Sequence, residues 1–158
     1  MTSSNKGKII IWDAQNLEHF STCDVHDDAI FAMEWTNNQE FLISGDKTGY
    51  IIYSDNTIVQ VNRFRAHPDA CIRDISCSMS TVKFATCSDD RKMIVFDFPT
   101  SKQEMVFEEH NSDVLCVDWH PFHSLIVTGS KDHKILVQDP RNNTGKSIFQ
   151  IQSHNSSV

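Results

Sequence analysis

The chain has 158 residues, 39% hydrophobic and 22% charged, with a formal net charge of -7; the length suits one ordinary domain, and the composition excludes disordered and fibrous classes. The negative excess opposes non-specific attraction to nucleic acid or anionic membrane, and no apolar run approaches the roughly 20 residues that span a bilayer, so no membrane partner is expected. Five cysteines, Cys23, Cys71, Cys77, Cys87 and Cys116, have no paired spacing, and the N-terminal Met-Thr-Ser-Ser-Asn-Lys-Gly has no apolar h-region, which predicts a reducing compartment, cytoplasmic or nuclear.

In chain order, Ile9-Ile10-Ile11-Trp12 is the first expected strand, apolar throughout and closed by Asp13. Four segments follow at Ile30 to Trp35, Phe41 to Ser44, Tyr50 to Tyr53 and Thr57 to Val61. The next four are Ile72 to Ser78, Phe84 to Thr86, Met93 to Phe96 and Met105 to Phe107. The last four are Val114 to Trp119, Leu125 to Thr128, Ile135 to Val137 and Ser147 to Ile151. β-Branched and aromatic residues dominate these segments and none carries a helical stripe, so the chain reads as all-β. Phe84 to Asp97, with Asp89 and Asp90 in a polar turn, has the pattern of a hairpin.

The segments recur at a fixed period. Asp13, Asp55, Asp97 and Asp139 stand forty-two residues apart, and so do Ser44, Thr86 and Thr128, or Ile30, Ile72 and Val114. The third strand of each period is apolar on both faces and must be covered on both, which stacked four-stranded sheets achieve. A period of about forty to forty-five residues per four-stranded blade is that of a WD-repeat β-propeller.

The motifs resemble that family closely. Trp12-Asp13 matches its Trp-Asp dipeptide, with Ser54, Phe96 and Gln138 in the tryptophan column of later periods. His26, His67, His110 and His154 match the family's His before the first strand; Ser44, Thr86 and Thr128 match its second-strand hydroxyl; Asp90 and Asp132 match its turn carboxylate. Thr48 stands at that turn position in the second period, a departure that leaves its network in question. The resemblance implies a structural blade network of His26, Ser44, His67, Thr86, Asp90, His110, Thr128 and Asp132, in which loss of one buried member costs roughly 1 to 3 kcal/mol. The expected architecture is a partial WD-repeat β-propeller with an open ring of about three and a half blades. Its divisions are 1–24 (the end of one blade, beginning at a third strand), 25–65, 66–108 and 109–153 (one blade each), and 154–158 (the start of another). Such a chain is expected to be a piece of a longer propeller, or to complete a ring with other chains.

No cofactor, metal, small-molecule substrate or catalytic residue is expected. His19, Cys23 and His26 lack a fourth ligand at zinc-site spacing, and a His, Ser/Thr and Asp set that recurs at the blade period is architecture. The candidate binding residues are Arg63, Phe64 and Arg65, with Arg73 nearby. Arginines around an aromatic in an exposed link between blades can hold phosphates and stack a base, whereas the competing reading is a solvated edge kept soluble by charge.

Phe84-Ala85-Thr86-Cys87-Ser88-Asp89-Asp90, Asp113 to Pro121, Thr128 to Asp132 and the atypical Ser44-Gly45-Asp46-Lys47-Thr48-Gly49-Tyr50 turn resemble the WD-repeat subunit family of the cleavage and polyadenylation specificity factor. The resemblance implies a non-enzymatic nuclear scaffold of pre-mRNA 3′-end processing, assembled with the other subunits of that factor and assisting recognition of the polyadenylation signal in pre-mRNA. The alternative is a generic WD-repeat adaptor, in ubiquitin ligation or cytoskeletal scaffolding, without RNA binding.

Overall fold

Period-two alternation and short polar turns leave the backbone one economical way to satisfy its hydrogen bonds, which is antiparallel pairing of sequence neighbours. The computed structural model describes residues 1–158 apart from positions 81, 143 and 153, and among these it holds fifteen strands and no helix. The first three strands, β1 (Thr2–Ser3), β2 (Lys8–Trp12) and β3 (His19–Asp24), form a three-stranded sheet. The next sheet comprises β4 (Ile30–Trp35), β5 (Phe41–Asp46), β6 (Tyr50–Asp55) and β7 (Gln60–Arg65). It is followed by β8 (Ile72–Cys77), β9 (Lys83–Ser88), β10 (Met93–Asp97) and β11 (Lys102–Phe107). The last sheet comprises β12 (Val114–Trp119), β13 (Ile126–Ser130), β14 (Ile135–Gln138) and β15 (Ser147–Ile151). This is a partial β-propeller, with every sheet an antiparallel meander.

Three expectations are corrected. The short β1 pairs with β2 through Thr2↔Ile10 and Ser3↔Ile9, so the chain holds part of a strand preceding the one expected to be its first. The strand expected at Thr57 to Val61 starts at Gln60 and runs to Arg65. Its first residues are held in a turn, because the Asp55 carboxylate accepts the Thr57 and Val59 N–H groups and the Thr57 hydroxyl, while Ile58 takes a left-handed φ of 62°. The segment expected at Met105 to Phe107 extends back to Lys102.

Each pair of successive sheets encloses an apolar core. Ile9, Ile30, Leu42 and Ile58 fill the first, Ile51, Tyr53, Ile75, Phe84 and Phe96 the second, and Val95, Phe107, Val117, Trp119 and Ile126 the third. The first strands of the four-stranded sheets lie beside one another, β4 against β8 and β8 against β12. Polar side chains stitch them together: Asp74 Oδ2 accepts the Val117 N–H at 3.0 Å, and Ser76 Oγ accepts the Trp119 N–H at 3.0 Å. Glu34 of β4 does the same for the Cys77 N–H, one repeat earlier.

That position has an electrostatic cost. Burial pushes the Glu34 carboxyl up to about 7 from an ordinary 4.5, the Cys77 N–H opposes the rise, and the Asp74 and Asp118 charges add to it. An acid raised on folding favours the folded state fully only below its unfolded pKa, and that contribution is lost as the pH rises through the folded value. Glu34→Gln keeps an oxygen for the Cys77 N–H and removes the charge. The variant should therefore match the parent in Tm near about pH 4 and exceed it near about pH 8, by thermal melting at both. An equal difference at the two pH values would show that Glu34 does not carry this dependence.

Candidate functional site

Two groups of polar side chains stand out, one inside the sheets and one on an outer strand. The inner group is a hydrogen-bonded chain that recurs in all three four-stranded sheets. His67 places Nδ1 2.8 Å from Asp90 Oδ2 and Nε2 2.8 Å from Thr86 Oγ1. His110 does so with Asp132 Oδ2 at 3.1 Å and Thr128 Oγ1 at 2.9 Å. In the sheet of β4 to β7 the ring of His26 lies 2.8 Å from Ser44 Oγ, and the carboxylate at 2.8 Å belongs to Asp46.

Asp46 is the residue that the repeat register hides. The turns read Ser88-x-Asp90 and Ser130-x-Asp132, whereas the first reads Asp46-x-Thr48: carboxylate and hydroxyl have exchanged places two residues apart. Thr48 now bonds to Asp46 Oδ1 through both its N–H and its hydroxyl, each at 2.8 Å, and the Tyr50 N–H adds a third bond at 3.0 Å. The network is thus complete where Thr48 suggested a defect, and the signal was an acid two positions upstream. Burial alone would raise these carboxyls, but bonds from the His, the turn hydroxyl and backbone N–H groups outweigh it and hold Asp46 below the ordinary carboxylate range. Asp90 and Asp132 are held low in the same way against their own burial, by their His and backbone N–H groups.

The tryptophan column completes this chain unevenly. Trp12 donates Nε1–H to Thr2 Oγ1 at 2.9 Å, and Gln138 donates Nε2–H to Thr128 Oγ1 at 3.2 Å. Phe96 has no donor and stacks on Phe84 at 5.3 Å between ring centroids. Ser54 is too short to reach across, and its buried hydroxyl has no partner among the described residues.

The outer group contains the arginines. Arg63 and Arg65 lie within β7, not in the link after it, and alternate with Phe64 across the strand. Phe64 therefore faces inward and packs on Tyr53 and Phe96, with centroid distances of 5.7 and 5.4 Å. The ring that the arginines share is Tyr50, directly opposite Arg65 on β6: the Arg63 guanidinium carbon lies 4.3 Å from its centroid and that of Arg65 5.7 Å. Arg63 also donates to Asp27 Oδ2 at 2.8 Å, and Arg65 pairs with Asp69. Arg73, at the start of β8, belongs to another cluster, bidentate to Asp89 at 2.7 and 2.6 Å and 5.3 Å from the Phe31 centroid. The structure thus unites Arg63 and Arg65 around Tyr50 and sets Phe64 and Arg73 apart from them. A cation pair on an aromatic ring can hold an anionic, planar ligand, provided that ligand displaces Asp27 and Asp69.

Residues 58–97 and 101–139 match the model of the family described as WD domain, G-beta repeat. The whole chain is 34% identical to Polyadenylation factor subunit 2 of Neurospora crassa and 35% identical to the protein of that name from Gibberella zeae, covering 24% and 25% of those proteins. It is also 31% identical over 58% of its length to WD-40 repeat-containing protein MSI4 of Arabidopsis thaliana, covering 19% of it. The chain thus spans about a quarter of the length of the polyadenylation factor relatives it matches.

Two stability outcomes follow from the inner network. Asp46→Ser should destabilise by roughly 1 to 3 kcal/mol in urea unfolding, and the double variant Asp46→Ser/Thr48→Asp, which recreates the arrangement of the other two turns, should recover most of the loss. A double variant no more stable than the single one would refute the exchange. Ser54→Ala removes an unpartnered buried hydroxyl and should leave stability unchanged or raise it by up to about 1 kcal/mol in the same measurement.

Proposed function

Since this chain belongs to the WD-repeat family, we propose that it forms part of a scaffold in the machinery that cleaves and polyadenylates mRNA 3′ ends, working in the nucleus. The observation that carries this reading is the similarity of the entire chain, at 34% and 35% identity, to relatives named Polyadenylation factor subunit 2. In this role the chain performs no chemistry. Its sheets hold loops and outer strands in fixed positions for the other subunits of the complex. The pair of arginines on Tyr50 assists recognition of the polyadenylation signal in pre-mRNA, with Phe64 bracing the strand from behind and Arg73 as a further contact.

A specific observation favours a second reading, a WD-repeat adaptor without RNA binding. Both arginines are already ion-paired to aspartates, and RNA phosphates would have to compete with these. Affinity purification of the protein from nuclear extract separates the two: recovery with cleavage and polyadenylation subunits supports the first reading, and recovery only with ubiquitin-ligase or cytoskeletal components refutes it. For RNA contact, the measurement is binding to a single-stranded adenine- and uridine-rich RNA over a range of salt. Arg63→Ala/Arg65→Ala should weaken binding and flatten the plot of log K against log salt by about 1.4, at about 0.7 per phosphate contact on a single strand. An unchanged slope would remove these arginines from the RNA surface.

A further inference from the structure

The loops joining first and second strands project together from one end of the sheets, and two of them differ from what the fold requires. The loop between β4 and β5, Thr36 to Glu40, is built from polar groups: Thr36 Oγ1 donates to Asn38 Oδ1 at 2.7 Å and accepts the Phe41 N–H at 3.1 Å, Asn38 pairs with Glu40, and Asn37 Nδ2 donates to the Ser78 carbonyl of the neighbouring loop at 2.6 Å. At the corresponding place between β8 and β9, Met79 is 58% exposed, and between β12 and β13 Phe122 is 85% exposed. The polar loop shows that this turn can be built without presenting either side chain to water.

Met79 and Phe122 flank a groove of about 310 Å³ between these loops, whose lining also includes Lys83, His120, His123 and Arg141 and, among the described residues, no carboxylate. In a chain of net charge -7, a concave surface lined by cations, imidazoles and apolar groups is complementary to an acidic ligand with an apolar anchor. The His120 imidazole is fixed in place: its Nδ1 accepts the Phe122 and His123 N–H groups at 3.0 Å each, and the His123 ring lies 4.7 Å away between centroids at a tilt of 36°. In the neutral ring, acceptance at Nδ1 places the proton on Nε2, which is then a donor to a ligand oxygen.

We propose that this groove docks a short extended protein segment in which an aliphatic or aromatic side chain, seated between Met79 and Phe122, is flanked by acidic residues. Protein is favoured over nucleic acid because Lys83 is paired with Glu104 at 2.6 Å and Arg141 with Asp139 at 2.7 Å. Two cations shared in this way match one or two carboxylates, and the exposed Met79 and Phe122 match an apolar side chain between them. The proposal goes beyond the RNA and assembly reading and uses none of its residues.

Fluorescence anisotropy on the full chain tests it with three labelled peptides: Leu-Phe flanked by Asp and Glu, the same centre flanked by Lys and Arg, and Ala-Ala flanked by Asp and Glu. The first should bind at least about tenfold more tightly than either of the others. Phe122→Ala, and separately Met79→Ser, should lower its affinity by about tenfold at unchanged Tm, because both side chains are solvent-exposed. Arg63→Ala/Arg65→Ala should leave it unchanged, so a failure of the RNA reading and a failure here are distinguishable. Equal binding of the three peptides, or indifference to both groove variants, overturns the proposal. So does tighter binding of a short single-stranded RNA that Phe122→Ala abolishes, which would assign the groove to nucleic acid.

Discussion

The fold depends on one buried imidazole in each four-stranded blade. Each of His26, His67 and His110 lies in the link that enters a sheet, and each uses both ring nitrogens, Nδ1 toward a carboxylate and Nε2 toward a hydroxyl. A carboxylate can only accept, so Nδ1 carries the proton, and in the neutral ring Nε2 takes the hydroxyl hydrogen. The ring therefore ties the link to the second strand and to the turn beyond it in one geometry. The link carbonyls reinforce this: a Cβ on Gly49, which has a φ of 88°, would lie 1.6 Å from the His67 carbonyl oxygen, so the close approach requires glycine there. Fixing the link fixes where the next first strand begins, and with it the spacing between sheets that the three apolar cores fill.

The period of the sequence reveals this arrangement because the network places the same chemistry at the same distance in every copy. The hairpin of β9 and β10 follows from residue type, and the His, Ser or Thr, and Asp columns from the repeat read together with the family resemblance. Asp46 was not legible in the same way. A column comparison assumes that a role stays at one position, whereas a hydrogen-bond network needs only an acid and a hydroxyl within reach of one ring, and either may sit at the tip of the turn. The position of β7 was hidden for a related reason. The Asp55 side chain captures backbone donors that would otherwise pair in a strand, and a local side-chain bond of that kind is invisible to hydrophobic periodicity.

Alternation across a strand explains the arginines. Arg63, Phe64 and Arg65 look like a cation–aromatic–cation cluster in one dimension, but consecutive side chains of a strand point to opposite faces. The aromatic that can share a face with residues 63 and 65 must come from the neighbouring strand, and the register supplies Tyr50 opposite Arg65. The same logic applies to the first strands, where Glu34, Asp74 and Ser76 spend side-chain oxygens on backbone N–H groups of the adjacent sheet. A carboxylate is an expensive acceptor where a serine serves, as the raised Glu34 carboxyl indicates.

His, hydroxyl and carboxylate at hydrogen-bonding distance also describe a hydrolytic triad, and burial separates the two cases. Ser44, Thr86 and Thr128 have no exposed surface, so none of these hydroxyls can meet a substrate, and each is held by the ring that would have to activate it. Chemistry that recurs with the blades serves the blades. What distinguishes one copy from another must therefore lie where the copies diverge without need: a polar loop at Thr36 against apolar ones at Met79 and Phe122, a Tyr50 ring covered by two arginines against Lys92 and Lys134 in the same column. Those differences cost the fold little and change the surface that each blade presents, so the copies differ in their outer residues while sharing one inner network.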